Sequence, residues 1–182
     1  SGQLGDGTTA RRYTPVQVSG LSEVAVIASR GENTVALKSD GTVWAWGQNA
    51  YGQLGDGTTT QRLTPVQVSG LSEVATIAAG GLHTVALKSD GTVWAWGYNG
   101  NGQLGDGTTT QRLTPVQLSS LSEVAAIAGG SYHTVALKSD GMVWAWGHNA
   151  NGRLGDGTGT DRLIPVQSSN FNLGSLFSMI ET

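Results

Sequence analysis

Cysteine is absent from this sequence, which excludes both a disulfide framework and a metal site built on thiolates. Charge is also scarce, because only 13% of the residues are charged and the ten basic residues are spread along the chain. The formal net charge is -3, so the protein does not attract phosphate polyanions, and we expect no nucleic-acid partner. No apolar run is long enough to cross a bilayer, and we therefore expect no membrane insertion.

Glycine, in contrast, is abundant and regularly spaced, with 28 residues in a chain of 182. The block Gly-Gln-Leu-Gly-Asp-Gly-Thr begins at Gly2 and returns at Gly52 and Gly102, and Gly152 opens a version with Arg153 in place of glutamine. A fixed period of this length is typical of repeat architectures, in which neighbouring units share one core. We therefore treat residues 1–182 as a single repeat domain. Its copies are residues 1–50, 51–100 and 101–150, followed by a partial copy, 151–182, whose tail diverges from residue 171.

The second recurring block predicts a β-hairpin. An Asp-Gly pair, residues 90 and 91 in the second copy, separates two short apolar runs, and this pair is typical of a two-residue type I′ turn. Such a turn places Leu87 opposite Trp94 and Val85 opposite Trp96. One face of the hairpin then carries the bulky side chains and the other carries alanines. We expect copies of this sheet to stack face to face, with indoles packed on alanines.

Two more strands complete each copy. Residues 73–79 alternate and carry small side chains, which suits an innermost strand where sheets crowd around an axis. Residues 65–68 begin with proline, which suits an outermost edge strand. The same patterns predict an additional outer strand at residues 15–18 and an additional inner strand near residues 173–179. The sequence therefore predicts an all-β fold.

The order of these motifs resembles the repeat family of the regulator of chromosome condensation. Gly-Gln-Leu-Gly, His-Thr-Val-Ala-Leu and Asp-Gly-x-Val-Trp-x-Trp-Gly recur from residue 2 to about residue 168. The resemblance implies β-propeller blades of four antiparallel strands, here about three and a half repeats, and usually a seven-bladed ring that binds proteins. Members include a nucleotide exchange factor for a small GTPase, a plant ultraviolet receptor and secreted bacterial inhibitors of β-lactamases.

Three blades do not complete a ring, which typically has four to eight. One interpretation is a homodimer, in which two chains close one ring by head-to-tail contacts. The other is that these residues are part of a longer single-chain propeller. The host and compartment stay open, and a secreted or cell-surface bacterial protein is favoured over a cytoplasmic one.

Few residues suggest chemistry, and we expect no catalysis, no cofactor and no metal. His83 and His133 are 50 residues apart and could face each other as metal ligands. We favour a histidine that begins the second strand and bonds a backbone group, with Asn33 in the same place in the first copy. An aspartate in each Gly-Asp-Gly-Thr block is followed six residues later by an arginine, which favours a repeated ion pair over a calcium loop.

Function is best sought where the copies differ, because the residues shared by all copies serve the scaffold. The differences fall after the inner strand and after the tryptophan strand, and they include aromatic and charged residues that commonly anchor interfaces. We predict partner binding by Arg30, Glu32, Leu82, Tyr132, Gln48, Tyr51, Tyr98 and His148. The leading hypothesis is a non-enzymatic, protein-binding propeller segment. The alternatives are a structural spacer without a dedicated ligand and, less favoured, a guanine nucleotide exchange factor.

Overall fold

The computed structural model describes residues 1–169, which form three four-stranded antiparallel sheets, here called blades 1 to 3. In each blade, strands that follow one another in sequence are also neighbours in space. The predicted all-β fold is confirmed. Blade 1 contains β1 (Val24–Arg30), β2 (Asn33–Lys38), β3 (Val43–Gly47) and β4 (Arg62–Gln67). Blade 2 contains β5 (Val74–Ala79), β6 (His83–Lys88), β7 (Val93–Gly97) and β8 (Arg112–Gln117), and blade 3 contains β9 (Val124–Gly129), β10 (His133–Lys138), β11 (Val143–Gly147) and β12 (Arg162–Gln167).

The blades are packed side by side and are not closed into a ring. The first strands, β1, β5 and β9, form the inner edge where blades meet, and the loop after β5 bonds the loop after β9 through Gly81 N and Gly130 O at 3.1 Å. The proline-containing strands form the outer edge, as predicted. Each blade takes its outer strand from the following copy, so blades extend across copy boundaries. Within residues 1–169, no helix has the length and apolar character that crossing a bilayer requires.

The predicted hairpin register is wrong by one residue. Leu87 lies opposite Val93 and Ala86 opposite Trp94, because the loop has three residues instead of two. Gly91 N donates to Lys88 O at 3.0 Å, and the φ of Gly91 is 80°. These features define a type I turn followed by a left-handed glycine bulge. A slip of one residue exchanges the faces of a strand, so the indoles share their face with Ala86 and a threonine.

The blades nevertheless stack through their tryptophans, although the face that receives the indole is mainly valine and leucine and is not the alanine face that the sequence predicted. The opposite face of each hairpin is aliphatic, and that face of blade 1 packs against Trp96 and Ala86 of blade 2. Blade 2 packs in the same way against Trp146 of blade 3. The second tryptophan of each pair is buried, and the first is only partly buried. Two indoles, those of Trp96 and Trp146, therefore form the centres of the two joints between blades.

A main-chain clasp joins each blade to the next. Trp96 Nε1 donates to Gln53 O at 3.0 Å, and Thr84 Oγ1 donates to the same carbonyl at 2.9 Å. Gln53 belongs to the β3–β4 connection of blade 1, so this loop holds the indole of blade 2. A Cβ on Gly55, whose φ is 70°, would lie 2.7 Å from Trp96 Nε1. The repeated Gly-Gln-Leu-Gly block is thus explained by close contact with the indole.

The predicted outer strand at residues 15–18 is wrong, since this segment has no regular secondary structure. A strand here requires the tryptophan strand of a preceding repeat as its partner, and residues 1–14 contain none. The N-terminal segment instead supplies the clasp of blade 1, in which Trp46 Nε1 donates to Gln3 O at 2.9 Å. The strand predicted near residues 173–179 and the divergent tail lie outside the described residues.

Candidate protein-binding face

The residues that differ between copies lie at one end of the blades. The connections between first and second strands and between third and fourth strands share this end, because neighbouring strands are antiparallel. The Asp-Gly hairpin turns and the connections between blades lie at the opposite end. We call the first end the variable face. All eight residues predicted to bind a partner map to it, and their role as contacts stays a prediction.

Four of these residues form a row of edge-to-face rings across the three blades, which we call the aromatic ladder. The ring centroids of Tyr51 and Tyr98 are 5.0 Å apart at an interplanar angle of 67°. Tyr132 follows at 6.3 Å and 72°, and His148 completes the row at 6.3 Å and 87°. Such arrangements are favourable, and each pair contributes about 0.5–1.5 kcal/mol beyond burial. Tyr132 is 40% exposed, so the ladder presents aromatic surface to solvent.

The other four predicted residues are engaged within the chain. Arg30 reaches from blade 1 to blade 3, where Nη1 donates to Gly129 O at 3.1 Å and Nη2 donates to Ser131 Oγ at 3.0 Å. The other three also bond residues of the chain: Glu32 accepts from Ser1 Oγ, Gln48 Oε1 accepts from Gln53 Nε2 at 3.4 Å, and the carbonyl of Leu82 accepts from Tyr98 N at 2.9 Å.

Arg30 and Asn33 belong together for a steric reason. The equivalent of Arg30 in the second copy is Gly80, and a Cβ placed there would lie 2.1 Å from Cε1 of His83. Gly130 and the histidine that follows it in the third copy have the same geometry. A side chain at this position is therefore incompatible with histidine three residues later. The first copy carries the arginine together with the smaller asparagine.

His83 is a buried link between blades 2 and 3. Its Nε2 lies 3.0 Å from Thr134 Oγ1, and that hydroxyl donates to Gln103 O at 2.8 Å. Because the hydroxyl proton is already used, Nε2 must carry the proton and donate to Thr134. Burial lowers the pKa of His83 to about 3, with smaller contributions from the charges of His133 and Arg30. The imidazole is therefore neutral at neutral pH.

The sequence predicted that this histidine bonds a backbone group, and the structure corrects this to the hydroxyl of the next blade. His133 is less buried, and its pKa is lowered by burial first and then by the charges of Arg153, Arg30 and His148. Within residues 1–169, no group of three or more histidine and carboxylate side chains is placed to hold a metal ion.

The predicted clamp between each repeated aspartate and arginine is confirmed. Arg62 Nη2 lies 2.7 Å from Asp56 Oδ2, and equivalent pairs hold Asp6, Asp106 and Asp156. Asn49 Nδ2 and Thr58 donate to the other oxygen of Asp56. Burial raises the pKa of Asp56, but the bonds from Thr58 and Arg62 outweigh it and hold the pKa below its ordinary value. Both oxygens are thus occupied by protein donors, which favours a structural clamp over a calcium ligand.

Four-stranded blades stacked face to face and joined by indole-to-carbonyl clasps define a segment of a β-propeller. More specifically, the chain belongs to the RCC1-like domain family, whose model matches residues 1–179. Both the predicted fold and the predicted family are therefore confirmed.

Solved structures give the same fold. The chain is similar to Prp20p from Saccharomyces cerevisiae, with 24% identity and a TM-score of 0.81 over 92% of this chain and 44% of that chain. Yeast RCC1 (Prp20) in complex with Kap60 gives a TM-score of 0.80 at 24% identity, over 92% and 43% of the two chains. Human WBSCR16 gives 0.72 at 30% identity, over 80% and 39%. The chain spans less than half the length of these solved chains.

Proposed function

We propose that this chain is a non-enzymatic, protein-binding segment of a propeller and that it binds its partner through the variable face. The aromatic ladder carries this proposal. Tyr51, Tyr98, Tyr132 and His148 are absent from the equivalent positions of the other copies, so the scaffold does not require them. Tyrosine side chains in a contiguous, partly exposed row are well suited to anchor a protein interface.

The solved relatives support a protein partner. Prp20p is described with its binding to Gsp1p and histones, and yeast RCC1 is described bound to Kap60. These partners belong to those proteins, whose chains are more than twice as long as this one. Exchange-factor activity is a weaker candidate for this segment. No copy carries a group of acidic or nucleophilic residues, absent from the other copies, that suggests chemistry.

Affinity capture with matched baits tests the proposal. The test bait is the double variant Tyr98→Ala/Tyr132→Ala, and the control is Tyr13→Ala, which removes a tyrosine that is 89% exposed and lies outside the ladder. We expect the wild-type and control baits to retain a common protein that the double variant loses. If all three baits retain the same proteins in the same amounts, the chain is better explained as a structural spacer.

A second proposal concerns the aliphatic face of blade 3. Val135 and Val143 are partly exposed, whereas the equivalent valines of blades 1 and 2 are fully buried against the next blade. A cleft of about 240 Å³ lies on this face and is lined by these valines, Ala145 and Leu154. In blades 1 and 2, the equivalent place receives the indole of the following blade. We propose that this face takes up a further blade.

The further blade comes either from a second copy, closing a ring, or from the same polypeptide. A second copy faces an obstacle, because Gln3 already occupies the clasp of Trp46. Head-to-tail closure therefore requires displacement of that N-terminal segment. Light scattering across a concentration series tests the dimer: a mass of twice 18.8 kDa supports closure by a second copy, and a monomer at every concentration contradicts it.

A further inference from the structure

The basic residues of the chain fall into two groups. Seven of the ten recur at the repeat spacing, and each of them lies within 4.0 Å of a carboxylate. Within residues 1–169, the other three have no carboxylate at that distance: Arg11, Arg30 and Arg153. All three stand where the other copies carry different residues. Ion pairing thus follows the scaffold, and the unpaired arginines follow the differences between copies.

Arg30 and Arg153 lie at the blade 3 end of the aromatic ladder. Arg30 Nη1 donates to Gly129 O and Nη2 donates to Ser131 Oγ, the residue before Tyr132. Because each terminal nitrogen carries two hydrogens, each keeps one N–H for a further acceptor. Arg153 is on the β11–β12 connection, where Nε donates to Ala150 O at 2.9 Å and the side chain is exposed. Arg153 also borders the cleft of blade 3, and its equivalents Gln53 and Gln103 are buried where a blade follows. Its availability is therefore a property of the chain without a further blade. The charges of both arginines act on His133. We call Arg30, Tyr132, His133, His148 and Arg153 the basic patch.

The carboxylate of Asp161 lies near the basic patch, and its oxygens are already used. Asn101 Nδ2 donates to Oδ2 at 3.0 Å, and Asn149 N donates to Oδ1 at 2.7 Å. Burial acts to raise the pKa of Asp161, but these two bonds, together with the charges of His148 and Arg153, outweigh it and hold the pKa below its ordinary value. Asp161 is therefore held in the loop by neutral donors and forms no ion pair with either arginine.

We infer that the partner docks an acidic segment on the variable face, with carboxylates at the basic patch and apolar or aromatic side chains along the tyrosines. This inference rests on the proposed function of the aromatic ladder. Arginine recognises carboxylate through paired N–H groups in a fixed geometry, and the interaction strengthens when it is shielded by neighbouring rings. Glu32 bonds Ser1 at the blade 1 side, so positive charge is concentrated at the blade 3 end.

A folded nucleic acid is a poorer fit for the same surface. Tracking a phosphate backbone requires a row of cations along the groove, and the variable face offers two unpaired arginines on a chain of net charge -3. A short protein segment with a few carboxylates matches two guanidinium groups better. Because recognition uses charge at one end and rings at the other, the segment binds in one direction.

A displayed library of random 12-residue peptides, selected on the full chain, tests this inference. Some peptides should be retained by the wild-type chain and lost by the Tyr98→Ala/Tyr132→Ala variant. We expect these peptides to contain more Asp and Glu than the input library. Synthetic versions should bind Arg30→Gln/Arg153→Gln about tenfold or more weakly than wild type. Arg11→Gln is the matched control, because it removes a charge that also lacks a carboxylate partner and that belongs to the N-terminal segment, outside the ladder and the basic patch; it should leave binding unchanged.

The outcomes separate the two proposals. If ladder-dependent peptides show no acidic enrichment, or bind the double glutamine variant as well as wild type, the ladder binds protein and the inference is wrong. If no selected peptide depends on Tyr98 and Tyr132, the proposed function fails with it. Tighter binding of a 12-residue oligothymidylate than of any acidic peptide would also overturn the inference. The single variant Arg153→Gln keeps Arg30 and therefore keeps its bonds between blades 1 and 3. It should still weaken peptide binding, which shows that the loss in the double variant is not caused by misfolding.

Discussion

Replacing Gly80 by alanine tests whether the histidine link and the glycine before it form one unit. The new Cβ would lie 2.1 Å from Cε1 and 2.3 Å from Nδ1 of His83. Its backbone is not in the left-handed region, so the perturbation is steric and involves no backbone strain. The imidazole cannot stay where it is, because it is fully buried and packed between two blades.

The cost has two parts. Overpacking a dense interior typically destabilises by about 1–3 kcal/mol. Moving the ring also breaks its hydrogen bond with Thr134, which contributes about 1 kcal/mol. We therefore expect Gly80→Ala to lower the free energy of unfolding by about 2–4 kcal/mol. His83→Asn alone loses the hydrogen bond and leaves space, and we expect a loss of about 1–3 kcal/mol.

The double variant is the decisive measurement. Once asparagine replaces the ring, the methyl group added at position 80 enters space that the imidazole has left, so the two effects should not add. We expect the double variant to be at least about 1 kcal/mol more stable than the sum of the single variants predicts. Urea unfolding followed by tryptophan fluorescence gives the three values. Additive losses would refute the steric explanation of why Arg30 and Asn33 occur together.

Three further predictions concern the joints between blades. Ala95→Leu should overpack the contact with the indole of the next blade and lower the free energy of unfolding by about 1–3 kcal/mol. Ala75→Leu, at an exposed position, should change the melting temperature little. Equal shifts in melting temperature for the two variants would contradict the stacking. The pKa of His83 is about 3 in the folded chain and 6.5 ordinarily, so the unfolded chain binds the proton first as the pH falls. The free energy of unfolding should therefore decrease between pH 6.5 and 3, by about 2 kcal/mol from pH 6.5 to pH 5. His83→Gln should flatten this dependence in melting experiments, and an unchanged slope would count against it. Gly55→Ala should destabilise through both its positive φ and the contact with the indole, and Gly70→Ala, with positive φ but no atom within 4 Å, separates the two causes.

The repeat made the blades predictable, because the strands depend on local patterns that three copies present three times. The hairpin register was not predicted correctly, although all the residues involved are adjacent. Asp-Gly is compatible with a two-residue turn, and the chain uses Ser89, Asp90 and Gly91 as a three-residue loop instead. The choice depends on which face must meet the next blade. That requirement is tertiary and is not contained in the turn residues.

The variable face was predicted as a set of positions, and the structure supplies their arrangement. Tyr98 and His148 occupy equivalent positions after third strands, but Tyr51 lies three positions further along its loop and Tyr132 lies between a first and a second strand, so no single spacing indicates one row of four. The pairing of Arg30 with Asn33 carried a detectable signal, since two positions three residues apart depart from the repeat in the same copy. Its physical reason requires the distance between Gly80 and His83.

The clasp explains how identical scaffolds can carry different binding residues. The indole of one blade bonds a main-chain carbonyl of the preceding loop, Gln53 O or Gln103 O, and a carbonyl is present whatever the side chain. In the last of these loops, the residue equivalent to Gln53 and Gln103 is Arg153. Tyr51 and His148 lie a few residues earlier in such loops. Because the joint uses backbone atoms and glycines, the blade ends can change without altering it. A variant with Arg153→Gln should therefore melt like the wild-type chain, and a large loss of stability would show that the side chain contributes to the joint.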